Sequence, residues 1–173
     1  MVTSRIAATG AGIPDQIITN DDLAKIMDTS DEWIRQRTGI GERHISGGED
    51  LSYYTSKAAK QIIERAGIAP ADIELIVVAT VTADYCTPSA ACMVQKEIGA
   101  VNAVAFDVTA ACSGFLYGVS VADKFIRCGV YKNALVIGGE ILSKIVDWKD
   151  RSTCVLFGDG AAGVFFGRSA SEG

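Results

Sequence analysis

Phe106-Asp107-Val108-Thr109-Ala110-Ala111-Cys112-Ser113-Gly114-Phe115 is the stretch that decides how this chain is read. Ala103 to Asp107 has the composition of a strand, and Ser113 to Cys128 carries a helical pattern. Cys112 therefore falls at a strand-to-helix junction. Amide N–H groups in the first turn of a helix have no intrahelical partner, and together with the dipole they favour a thiolate over a thiol. The small neighbours keep the turn tight and leave space beside the thiol, and Gly114 lets another backbone or a ligand approach closely. The competing reading is an ordinary buried cysteine that packs as a small hydrophobe. The position at the junction favours the reactive one.

Outward from this junction, Leu75-Ile76-Val77-Val78-Ala79-Thr80 is a continuous β-prone run, as expected of a strand covered on both faces. Ala134 to Ile137 and Val164-Phe165-Phe166 read as later strands, and Ser4 to Thr9 as an opening strand ended by Gly10-Ala11-Gly12 and Pro14. Leu51, Tyr54, Ala58, Ile62 and Ala66 recur at helical spacing, with Gly67 and Pro70 as the stop. Ser89 starts a helix that runs to Gly99. Asn20 is the expected N-cap of a short helix, and Thr29-Ser30-Asp31-Glu32 has capping-box spacing before a second one that ends at Gly39. The alternation predicts a mixed five-stranded, mostly parallel sheet with helices on its faces. Arg168-Ser169-Ala170-Ser171-Glu172-Gly173 is small and polar and reads as a linker.

The 173 residues suffice for one domain with a substantial core. A net charge of −5, without a Lys/Arg run, disfavours nonspecific nucleic-acid binding. No apolar run approaches the roughly 20 residues that span a bilayer, and Met1 to Pro14 lacks the pattern of a signal peptide. Five cysteines without CxxC spacing make a disulfide framework or a zinc site unexpected and fit a reducing cytoplasm.

Thr109-Ala110-Ala111-Cys112-Ser113-Gly114-Phe115 resembles the nucleophile motif of type III β-ketoacyl–acyl carrier protein synthases in the thiolase superfamily. Asp28-Thr29-Ser30-Asp31-Glu32-Trp33-Ile34 running into Arg37-Thr38-Gly39-Ile40, then Asp150-Arg151, then Leu156-Phe157-Gly158-Asp159-Gly160-Ala161 agree in order and spacing. The resemblance covers residues 1–173, as the N-terminal half of such an enzyme. It implies a thiolase-like α/β half with three layers, α-β-α. It also implies transfer of an acyl group from coenzyme A to Cys112, followed by attack of a decarboxylated malonyl unit carried on acyl carrier protein. A thiolate suits both nucleophilic attack and later departure. Coenzyme A enters as a thioester substrate; no cofactor and no metal is expected.

By the same resemblance Trp33 and Arg151 sandwich the adenine of coenzyme A, with Thr29 toward the adenine and Arg37 toward the phosphates. Indole and guanidinium are suited to stacking on a base. Alone, Trp33 would read as a hydrophobic anchor, and Arg37 and Arg151 as solvated or ion-paired side chains. Leu142, Leu156 and Phe157 match positions near the acyl pocket. Thr87 stands where many relatives carry a bulky aromatic, which implies room for a longer or branched primer. Phe157-Gly158-Asp159-Gly160 lacks the Lys-Ser/Thr of a P-loop and reads as a tight turn under the site.

The family's catalytic histidine and asparagine lie in the half beyond this chain, as does most of its basic docking surface for the carrier protein. His44, the one histidine, does not match that position and reads as a surface or loop residue. The chain on its own is expected not to complete condensation. The partners implied are acyl-coenzyme A, acyl carrier protein and a second copy of the chain in a homodimer, with neither nucleic acid nor membrane. Three rival readings remain at this point. One is a thiolase-superfamily synthase with another acyl substrate, of the chalcone or hydroxymethylglutaryl type. Another is a noncatalytic half-domain acting as an assembly unit. The third is a nucleotide-binding dehydrogenase, which Gly10-Ala11-Gly12 supports poorly because no third glycine completes the motif.

Overall fold

The computed structural model describes residues 2–170. Seven strands and five α-helices follow one another: β1 (Val2–Gly12), β2 (Gln16–Thr19), α1 (Asn20–Ala24), α2 (Asp31–Thr38), β3 (Glu42–Ile45), α3 (Leu51–Ala66), β4 (Leu75–Ala79), α4 (Ala90–Ile98), β5 (Val104–Val108), α5 (Gly114–Arg127), β6 (Asn133–Ile141) and β7 (Asp159–Ala170). The main sheet has the order β1-β7-β6-β4-β5, and β2 with β3 forms a separate two-stranded sheet. β4 pairs in parallel with both β5 and β6, whereas β7 runs antiparallel to both β6 and β1. Four of the five strands thus share one direction, as expected, although only two of the four pairings are parallel.

Alternation of side chains along buried strands divides the core between the two faces. Ile76 and Val78 of β4, with Leu135 and Ile137 of β6, pack against Ala58, Ile62, Val94 and their neighbours on α3 and α4. Leu75 and Val77, with Ala134 and Val136, face Ala122 and Ile126 of α5. Each fully buried Leu, Ile or Val contributes about 1.5–3 kcal/mol, so this sheet is where most of the stability lies. Gly163 permits the central pairing: a Cβ there would sit 2.5 Å from the Val136 carbonyl oxygen.

Carboxylates from other elements cap the helices. Asp84 accepts from the Leu51 and Ser52 amides at the start of α3. Asp107 of β5 accepts from the Ala90 and Ala91 amides at the start of α4. Gly39, Gly67 and Gly99 end their helices in the left-handed conformation, as the sequence predicts.

Several expectations are corrected. β1 continues through Gly10-Ala11-Gly12 instead of stopping before it. Thr19, not Asn20, caps α1, through a capping box with Asp22; Asn20 is the first helical residue and is buried. Ser30 caps α2 through the Trp33 amide, and Thr29 lies one residue outside. Arg168 to Ala170 belong to β7 instead of a linker, and residues 171–173 lie outside the described residues. The antiparallel pairing of β2 with β3 went unpredicted. Among the described residues no helix is long and apolar enough to cross a membrane.

Candidate active site

The chain leaves β5 at Val108, makes a 3-10 turn over Ala111–Ser113, and enters α5 at Gly114. Ala111 sits at φ 45°, the one non-glycine residue in left-handed backbone among those described. That conformation costs an L-residue roughly 1–2 kcal/mol, and it turns the chain so that Cys112 stands at the mouth of the junction, exposed and as a free thiol. Gly114 closes the corner against β4: a Cβ there would lie 3.2 Å from the Ala79 Cβ.

Around Cys112 is a cleft of about 340 Å³ lined by Ala79, Phe115, Gly138, Glu140, Leu142 and Gly158, among others. It opens at the carboxyl ends of β4 and β6. From these neighbouring strands the chain departs in opposite directions, to β5 and to β7, which is where open α/β sheets form their ligand crevices. Glu140 secures the rim by accepting from the Thr80 and Thr82 hydroxyls and the Val81 amide. The buried carboxylate of Asp159 does the same below, accepting from the Ser46 and Ser143 amides and the Ser143 hydroxyl. Of the four residues expected near an acyl pocket, only Leu142 lines this cleft. Thr87 is exposed in the loop after β4, Leu156 is 46% exposed, and Phe157 is half-buried before Gly158.

A second locus forms on the small lobe made by the two-stranded β2–β3 sheet, α1, α2 and the turns between β6 and β7. The Arg37 and Arg151 guanidinium carbons lie 4.3 and 4.8 Å from the centroid of the Trp33 ring. The structure therefore brings together three of the four residues expected to meet a nucleotide. The fourth, Thr29, lies one residue before the Ser30 cap of α2, and its Oγ1 is buried without a hydrogen-bond partner. Arg151 also donates to the Asp28 carbonyl at 2.6 Å. A base can enter between Trp33 and Arg151 only if this exposed guanidinium swings away from the indole.

The other cysteines lack the setting of Cys112. Cys154 is fully buried, its Sγ 3.6 Å from the Met27 sulfur, and burial pushes its thiol up, with Asp150 adding to the shift. Cys92 is half-buried in α4, and Cys86 and Cys128 are exposed on loops away from the cleft lining. His44 is not a loop residue: it lies half-buried on β3, with Nδ1 2.6 Å from the Pro14 carbonyl oxygen, and it does not line the Cys112 cleft. Sequence reasoning missed Glu140 and the buried Arg43, and it placed Asp159 in the turn under the site without giving its carboxylate a role. An acid or base immersed in a strand or turn gives no periodic signal of its own.

Residues 106–173 match the family described as 3-Oxoacyl-[acyl-carrier-protein (ACP)] synthase III. The chain is 54% identical over 172 residues to a beta-ketoacyl-[acyl-carrier-protein] synthase III of Streptococcus mutans, covering 99% of this chain and 53% of that protein. It is equally identical over 169 residues to the synthase III of Clostridium tetani, covering 98% of this chain and 51% of the relative. The crystal structure of 3-oxoacyl-[acyl-carrier-protein] synthase III from Aquifex aeolicus superposes with a TM-score of 0.96 at 50% identity, over 98% of this chain and 55% of that one. The chain spans about half the length of the curated relatives it matches. With the thiolase-like half and its cysteine junction in place, the chain is similar over nearly its whole length to about half of a 3-oxoacyl-[acyl-carrier-protein] synthase III.

Proposed function

We propose that this chain is the nucleophile-bearing half of a condensing enzyme that starts fatty-acid synthesis, and that Cys112 carries the acyl group. The carrying observation is the exposed thiol of Cys112, held by the left-handed Ala111 at the mouth of a cleft between β4 and β6. In the first step the Cys112 sulfur attacks the carbonyl carbon of an acyl-coenzyme A thioester. The carbonyl oxygen takes up negative charge, and the amide at Cys112, at the start of the 3-10 turn, is placed to donate to it. Collapse expels coenzyme A as its thiolate and leaves the acyl thioester on Cys112. In the second step a malonyl group on acyl carrier protein loses CO2, its carbanion equivalent attacks that thioester, and Cys112 departs as thiolate.

Trp33, Arg37, Arg151 and Thr29 form the nucleotide slot for coenzyme A in this reading, and Leu142 borders the acyl group. Thr87, Leu156 and Phe157 do not line the cleft. A homodimer in the cytoplasm fits the same reading. β5 is an edge strand with one side unpaired and Val104 49% exposed, and it leads directly into the Cys112 turn.

Incubation with acetyl-coenzyme A, followed by peptide mass spectrometry, should place one acetyl group on Cys112 with release of coenzyme A. Cys112→Ala should reduce that release by about 10³-fold or more. Coenzyme A release that persists in the variant, or acylation at another cysteine, would remove Cys112 from the role.

A further inference from the structure

Arg43 is 5% exposed and points into the small lobe, not out of it. Its three hydrogen bonds go to neutral acceptors on three segments: the Ile18 carbonyl of β2, the Asn20 side-chain oxygen of α1, and the Val155 carbonyl of the turn before β7. Nε is buried and unpartnered. No carboxylate forms an ion pair with Arg43 among the described residues. A buried guanidinium without a counter-charge is costly, and an apolar side chain of similar volume would pack as well. What an apolar residue cannot supply is a planar fork that fixes distances between separate segments.

Those segments carry the nucleotide slot. Asn20 passes the constraint on: its Nδ2 donates to the Asp31 carboxylate at the start of α2 and to the Ile40 carbonyl just beyond its end, each at 2.8 Å. Both ends of the helix bearing Trp33 and Arg37 are thereby tied to Arg43. On the other side, Val155 shares a short turn with Arg151, and Val155, Cys154, Ile34 and Leu23 form the lobe's own apolar cluster, on which Trp33 packs. We propose that Arg43, acting through Asn20 and Val155, is a positioning residue that holds Trp33 and Arg151 in register for the nucleotide of coenzyme A. The proposal rests on the coenzyme A reading of that slot.

The test compares acylation of Cys112 in the intact protein by two donors, acetyl-coenzyme A and acetyl-pantetheine, which lacks the nucleotide. Arg43→Met should raise KM for acetyl-coenzyme A about five- to tenfold with kcat little changed, and leave acetyl-pantetheine within about twofold. Trp33→Ala serves as the reference and should show the same selectivity at about tenfold. Should Arg43→Met fail to fold, Asn20→Asp keeps the acceptor for Arg43 while removing the donor to Asp31 and Ile40; about a threefold rise in KM, again for acetyl-coenzyme A alone, is expected. Equal losses with both donors would make Arg43 a general stabiliser and overturn the proposal, as would no loss while Trp33→Ala stays selective. If Trp33→Ala itself fails to distinguish the donors, the coenzyme A reading of the slot falls, and the proposal falls with it.

Discussion

The Cys112 cleft and the Trp33 slot are held in place by different physics. The first sits on the carboxyl ends of β4, whose every residue is buried, and of the largely buried β6, and its one strained residue, Ala111, is held between the sheet and α5. The second sits on a lobe with a two-stranded sheet, two short helices and an apolar cluster of four buried residues. There, the hydrogen bonds that link Arg43, Asn20 and the accepting Asp31 carboxylate do what backbone topology does elsewhere. Covalent chemistry needs a fixed nucleophile, and a dry, close-packed sheet supplies it. Recognition of a large ligand needs a slot whose width can yield, and a polar network on a small lobe supplies that.

The sharpest way to break this contrast is to overpack the sheet. Gly163→Val would drive a Cβ into the Val136 carbonyl and the Ile137 side chain. We expect a loss of about 3 kcal/mol in urea unfolding. Both regions should fail together, with Cys112 acylation and tryptophan fluorescence lost in one transition. A variant that lost acylation while the Trp33 lobe stayed intact would show that the lobe folds independently of the sheet.

Acid should separate the two regions more gently. The Asp31 carboxyl is held below its ordinary value by the Asn20 side-chain amide first and by Arg35 second. Asp22 is lowered by Lys25 and Thr19, and Asp150 by Ser152 and Thr153. Each folded-state value is depressed, so each contribution is present above the ordinary carboxylate value and is lost as pH falls through the folded one. These three belong to the small lobe, whereas Asp123, Glu49 and Glu97 are lowered elsewhere. Both tryptophans, Trp33 and Trp148, pack on the lobe's cluster, so fluorescence reports it alone. Below about pH 4, the fluorescence change should precede loss of the far-ultraviolet circular dichroism of the sheet and long helices. Coincident transitions would mean that the lobe has no separate stability.

The same contrast governs what could be read from the sequence. The apolar run Leu75 to Ala79 and the glycines after α2, α3 and α4 carry their structure locally, and the fold of the sheet followed from them. Cys112 was legible because a strand and a helix on either side frame it. β2 and β3 were not: each has four residues, and they are separated by two helices instead of a short turn, so no hairpin signal exists. Arg43 was hidden for a related reason, since arginine is ordinarily a surface residue and only the tertiary partners from β2, α1 and the turn before β7 make its burial tolerable. The Thr19 cap had a local signal, Thr-x-x-Asp, which the stronger capping preference of Asn20 obscured. Thr87 was expected at an acyl pocket, yet the fold of this chain leaves it on an exposed loop outside the Cys112 cleft.

The smallest effect concerns Ala111, where the two ways of fixing a site meet. Ala111→Gly removes the left-handed penalty of roughly 1 kcal/mol, but glycine adds unfolded-state freedom worth about 0.5–1 kcal/mol. The net change in stability should stay within about 0.5 kcal/mol in urea titration. Acylation of Cys112 should nevertheless slow several-fold, because the turn before the thiol gains alternative conformations that place the sulfur away from the cleft. Acetyl-coenzyme A and acetyl-pantetheine should be slowed equally, the opposite of the signature expected for Arg43→Met, since the Trp33 slot is untouched. An unchanged acylation rate in Ala111→Gly would mean that packing of α5 alone places the cysteine, and that the strained residue is incidental to it.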